Sequence, residues 1–153
     1  MGTVYSTQRT NSRATPVVMN KSNELGGRVR VAHGVYEASS LAADEVIEMF
    51  ILPDGARILH GQLAHDALGS STTLAVGHGA YKNADGTDVA LDADEFKAAA
   101  ASTSAQKVDV AATLALGSGI EVDADDDGYP VTVTLAGEAA TGTIELTMYY
   151  VVD

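Results

Sequence analysis

Cysteine and tryptophan are missing from this sequence, and its 153 residues include only three prolines and two phenylalanines. Without cysteine there is no disulfide, no thiolate metal ligand and no cysteine nucleophile, and the redox compartment leaves no trace. The dearth of large aromatics counts against a sugar-stacking platform. No apolar run approaches the roughly 18 residues a membrane-crossing helix requires. The opening MGTVYSTQRTNSR has no apolar stretch of the signal-peptide kind. The expectation is a soluble chain with no membrane partner. Basic side chains are also scarce, nine against twenty-one acids, for a net charge of −12. So acidic a chain repels nucleic acid, and no nucleic-acid partner is expected. At this length a single domain buries about 68–70% of its unfolded surface, so no metal or disulfide is needed to hold it together.

The charge is unevenly placed. Residues 1–30 carry five basic side chains (Arg9, Arg13, Lys21, Arg28, Arg30) against Glu24 alone, whereas residues 31–153 carry four against twenty acids. Residues 1–27 are polar and poor in apolar side chains apart from Val17, Val18 and Met19. Such a segment cannot offset its own ordering entropy by burial. The chain is therefore expected to divide into an extended basic N-terminal arm, residues 1–27, and a body, residues 28–153. Arg9, Arg13 and Lys21, with Val17, Val18 and Met19, are the arm residues expected to contact a partner with an acidic surface.

From Arg28 the pattern has a period of two, with Val29, Val31, His33 and Val35 on one face and Arg30, Ala32, Gly34 and Tyr36 on the other, which marks a strand. Further strands are expected over residues 46–52, 56–65 and 72–77, divided by the turn Pro53-Asp54-Gly55 and the loop at residues 66–71. Residues 107–116 alternate strictly, and Gly117-Ser118-Gly119 turns the chain into Ile120, Val122 and Ala124. Residues 131–135 and 143–152 complete the set. The single helix is expected near residues 93–102, where Asp94, Glu95, Phe96 and Lys97 lead into four alanines, with Asp92 as N-cap. About eight strands, one short helix and no alternation of strand with helix predict an all-β antiparallel sandwich, jelly-roll-like. The last strand is apolar on both faces at its outer end, as expected of a central strand or a subunit contact. Tyr149, Tyr150 and Val151 are the residues expected at that contact.

Candidate chemistry is thin. Asp123-Ala124-Asp125-Asp126-Asp127-Gly128 matches the opening of a calcium loop, with Asp123, Asp125 and Asp127 as alternate ligands. Position twelve is Thr134 rather than a bidentate acid, and position eight is Pro130, so the twelve-residue loop fails. A solvated turn accounts for the same residues. His33, His60, His65 and His78 form neither H-x-H nor H-E-x-x-H. Ser70, Ser71 and Ser118 lie outside G-x-S-x-G. No catalytic residue, cofactor or metal is assigned, and no enzymatic activity is expected.

The stretch VIE, three residues, LP-x-GARIL (residues 46–59), followed by a polar loop ending LGSSTTLAVG (residues 68–77), resembles small structural proteins of tailed bacteriophages. Among these it is most similar to capsid decoration, or cement, proteins of the β-sandwich type, and the likeness runs from about Arg28 to the end of the chain. The resemblance implies a virion structural protein, made in the host cytoplasm. It implies binding to the major capsid protein on the outside of the icosahedral head, as a homotrimer. A tail or baseplate component and a carbohydrate-binding β-sandwich module are the alternative readings. A small hydrolase on the same scaffold would need histidine and carboxylate side chains to converge.

Overall fold

A computed structural model describes residues 3–152. The chain forms one short helix, α1 (Thr7–Arg13), and ten strands: β1 (Val29–Leu41), β2 (Val46–Leu52), β3 (Arg57–His65), β4 (Thr73–His78), β5 (Tyr81–Lys82), β6 (Asp88–Val89), β7 (Asp92–Ala101), β8 (Gln106–Val110), β9 (Tyr129–Ala136) and β10 (Ala140–Val151). One sheet has the order β1-β10-β3-β8 and the other β2-β9-β4-β7, with β5 and β6 as a separate hairpin. All pairings are antiparallel. Two four-stranded sheets whose strands interleave along the sequence in this way make a jelly roll.

The alternation of the strands decides what is buried. Ile144, Leu146 and Met148 of β10 and Ile58 and Leu63 of β3 face Val131, Val133 and Leu135 of β9 and Leu74 and Val76 of β4 across one core. β10 is a central strand, paired to β1 on one side and β3 on the other. That position accounts for its apolar residues on both faces. On β1 the inward face is Ala32, Gly34, Tyr36 and Ala38, and the valines at 29, 31 and 35 point outward, exposed. Gly34 fixes this choice: a Cβ there would lie 2.7 Å from the Met49 carbonyl oxygen, so no larger residue fits where β1 passes β2.

Residues 93–102 are not a helix. All but Ser102 fall in β7, hydrogen-bonded to β4 with Leu74 opposite Ala100 and Val76 opposite Lys97. Helix propensity favours alanine by only tenths of a kcal/mol per residue. Burying Phe96, which is fully covered, and pairing with β4 outweigh it. The strand expected over residues 107–116 stops at Val110, because Ala111 turns to φ +52° and residues 114–116 form a 3-10 turn. The segment around Ile120, Val122 and Ala124 lies along the start of β3, exchanging bonds between Ile58 and Ile120 (2.9 Å) and between Val122 and Ala56 (2.8 Å), but it forms only an isolated bridge, Glu121 with Arg57. The N-terminal segment, expected to be extended, holds α1.

Candidate functional site

The N-terminal segment folds on itself around one asparagine. Ser6 caps α1, its hydroxyl accepting from the Arg9 N–H at 3.3 Å. Asn20 closes the return path: its amide donates to the Gln8 carbonyl (3.1 Å) and the Ser12 hydroxyl (3.3 Å) and accepts from Asn11 (3.0 Å). The Arg13 guanidinium lies 4.8 Å from the Tyr5 ring centroid, a cation–π contact. These are polar bonds made at the surface, and α1 buries no residue. Val17, Val18 and Met19 are 63%, 50% and 86% exposed, and Arg9 and Arg13 are exposed beside them.

What joins this segment to the body is a polar cluster. The buried Asn23 donates to the Gly55 carbonyl at 3.0 Å. Lys21 pairs with Glu121 at 2.6 Å. Arg57 binds Glu121 at 2.7 Å, Glu24 at 3.4 Å and the Gly119 carbonyl at 2.7 Å. The hydrogen bond from Lys21, and then its charge, hold the Glu121 carboxyl below its ordinary value, and the same bond raises Lys21. Lys21, expected among the partner contacts, is therefore engaged within its own chain. The sequence reading missed Arg57 altogether. Its one signal was an arginine in a body with few cations.

The three residues expected at a subunit contact differ in their surroundings. Tyr149 is half-buried on the outer face of the first sheet and stacks on His60, ring centroids 4.7 Å apart. Tyr150 packs against the core. Val151 is buried, and Gly27 approaches it so closely that a Cβ there would fall 2.3 Å from its Cγ1. Val151 is covered by its own chain and offers no surface, because the chain entering β1 lies over it.

In and beside the acidic turn, carboxylates accept from backbone N–H groups. Asp123 accepts from the Ala84 N–H (3.1 Å), Asp125 from the Asp127 N–H (3.1 Å), and Asp54 from the Ala124 N–H (3.1 Å). Among the described residues, no three His, Asp or Glu side chains are grouped to hold a metal ion. The structure thus does not bring Asp123, Asp125 and Asp127 together as a ligand set. The histidines are likewise dispersed: His33 bonds Thr147 (2.8 Å), while His65 and His78 donate to the carbonyls of Asp66 (2.7 Å) and Gly79 (2.9 Å). The backbone N–H groups of Ser70 and Ser71 and the Ser70 hydroxyl all donate to Glu138. These bonds lower the Glu138 carboxyl.

Beside the acidic turn lies a cleft of about 610 Å³, walled by Ile51 of β2, by Tyr81 and Val89 of the β5–β6 hairpin, and by Pro130. Its rim carries Glu48, Asp88, Asp125 and Asp127 against Lys82 alone. Tyr81 rests against His78 and Tyr129, with centroids 5.3 and 4.8 Å away. Burial, then the charges of Asp123 and Glu95, raise its hydroxyl pKa. None of the described residues of the N-terminal segment lines this cleft.

No protein-family model matches the chain, and no curated protein matches it. Among solved structures it is similar to a chain of the capsid of Ralstonia phage GP4, at 26% identity and a TM-score of 0.63, covering 83% of this chain and 86% of that one. It is also similar in fold to a chain of the Cyanophage Pam1 capsid asymmetric unit, at 20% identity and a TM-score of 0.63, over the full length of both. The likeness to the GP4 capsid chain supports a phage capsid-related protein.

Proposed function

We propose that this chain is a capsid decoration, or cement, protein: a virion structural protein, made in the host cytoplasm, that binds the outside of an icosahedral head and strengthens contacts between major capsid proteins. The observation that carries the reading is the N-terminal segment. It holds Val17, Val18 and Met19 in solvent beside Arg9 and Arg13 and buries none of α1 on its own body. An attachment device has this form before it meets a partner, and the fold it is joined to is similar to that of a phage capsid chain. In this reading no step is catalytic. A protein that binds only the assembled shell stabilises it by mass action, about 2.7 kcal/mol per site at a hundredfold excess over Kd. A trimer, with Tyr149 near the subunit contact, adds avidity. Deleting residues 2–20 and measuring occupancy on purified capsids tests the proposal. Occupancy should drop while the body still melts cooperatively. Unchanged occupancy at physiological salt would leave the segment without the attaching role.

A further inference from the structure

The cleft beside the acidic turn and the N-terminal segment are complementary, yet they do not meet within one chain. Residues 3–20 carry Arg9 and Arg13 and no acid, whereas the cleft rim carries four carboxylates against one lysine. The segment exposes Val17, Val18 and Met19. The cleft offers an apolar floor of Ile51, Tyr81, Val89 and Pro130, and Ile51 stays 53% exposed. A volume of about 610 Å³ lies within the range of about 300–1,000 Å³ that takes a small ligand or a few side chains. We infer that this cleft receives the N-terminal segment of a second copy of the chain, with Val17, Val18 and Met19 on the apolar floor and Arg9 and Arg13 against the carboxylates of the rim.

Two further observations favour a second copy over the chain's own segment. Asn23 and Lys21 fix the base of the segment to Gly55 and Glu121 of its own body, and Asn20 folds the remainder back on α1, with none of its described residues lining the cleft. The bonds of Asn20 are few and at most part-buried, and α1 buries no residue, so the segment can open without disturbing the core. Opened, the segment carries Val17 and Arg9 four and twelve residues beyond Lys21, reaches of about 14 and 40 Å, so the second copy lies against the end of the sandwich where the segment is tethered. The inference rests on the reading of the segment as an attachment device and directs it to a neighbouring copy, so that capsid occupancy depends on it through avidity, but it needs no capsid to be tested.

The test uses the full chain. Met19→p-benzoyl-phenylalanine is irradiated in an equal mixture of ¹⁴N and ¹⁵N protein, so that cross-links between copies carry mixed isotopes. The expected result is mixed-isotope cross-links from position 19 to peptides holding residues 80–90 or 125–130. Arg9→Glu with Arg13→Glu should lower their yield about tenfold, as should Asp88→Lys with Asp127→Lys, because like charges then face one another. Combining all four substitutions should restore the yield. Both acids replaced are exposed, and a melting curve on each variant confirms that the body is folded. Cross-links confined to one isotope, or landing outside the cleft, would overturn the inference. So would failure of the fourfold variant to recover. Capsid occupancy, measured separately on the same variants, distinguishes the loss of this contact from the loss of decoration.

Discussion

Replacing Arg57 with methionine tests how the N-terminal segment is held to the body. The substitution keeps the aliphatic stem and removes the guanidinium, which reaches the Gly119 carbonyl and Glu121 at 2.7 Å each and Glu24 at 3.4 Å. Hydrogen bonds to a charged group contribute about 1.5–3 kcal/mol each when buried. Here the side chains of Arg57 and Glu121 keep 22% and 29% of their surface, so solvent screening reduces that contribution. Glu121 retains Lys21 at 2.6 Å and is not left as an isolated charge. The Arg57 Nε, buried without a partner, disappears with the substitution, which offsets part of the loss. A net cost of about 1–2 kcal/mol follows, and it lowers Tm by about 2–8 °C in a chain of this size. Hydrogen exchange read by mass spectrometry should show residues 20–27 exchanging faster in the variant, while the strands β3, β9 and β10 stay protected. Lys82→Met is the control: its contact with Asp88 is 3.9 Å long and exposed on both sides, so its removal should change nothing measurable. An Arg57→Met protein that melts within a degree of the parent, with unchanged exchange over residues 20–27, would refute this account of the anchor.

Three other outcomes are expected. Phe96→Ala should cost about 3–5 kcal/mol by calorimetry, since Phe96 is fully buried in β7; an exposed helix at residues 93–102 would lose far less. The bonds from Ser71 and Ser70 hold the Glu138 carboxyl below its ordinary value in the folded state, so its contribution to stability is complete above about pH 4.5 and is lost as pH falls through the lowered value. Denaturant midpoints measured from pH 6 to 2 should therefore fall less steeply in Glu138→Gln than in the parent. Melting curves with chelator and with millimolar calcium should agree within about a degree, because among the described residues Asp123, Asp125 and Asp127 are not grouped to hold an ion; a clear calcium-dependent rise would show a bound ion.

The sequence is most legible where a local pattern and its tertiary role coincide. β2 spans the expected residues 46–52, with the turn chemistry of Pro53, Asp54 and Gly55 setting its end and the start of β3, and β4 and β9 follow their own alternation. The Ala-rich run misleads, since its strand character comes from Phe96 and from partners in β4 that are distant in sequence. The end of β8 is equally hidden: alternation continues through Leu116, but Ala111 takes a positive φ, which favours glycine and which no alternation pattern signals. At the candidate site, the exposed Val17, Val18 and Met19 were readable from composition. The Arg57 cluster was not, because Glu24, Arg57 and Glu121 are brought together only by the fold. Nor was the cleft, whose walls come from residues 48 to 130 and owe their proximity to the sheet order.

The pairing of Val29 with Val151 and of Arg57 with Val151 has a practical consequence for engineering. The C-terminus leaves the sandwich at the end where the N-terminal segment is tethered, so cargo fused there would crowd that segment. At the other end of the sheet, His65 pairs with Ile144 and with Gln106, about 24 Å along β10 from Val151 at strand rise. The loop between β7 and β8, exposed at Thr103, Ser104 and Ala105, opens there. A peptide displayed from that loop would point away from the tether and leave both the segment and the cleft beside the acidic turn unobstructed.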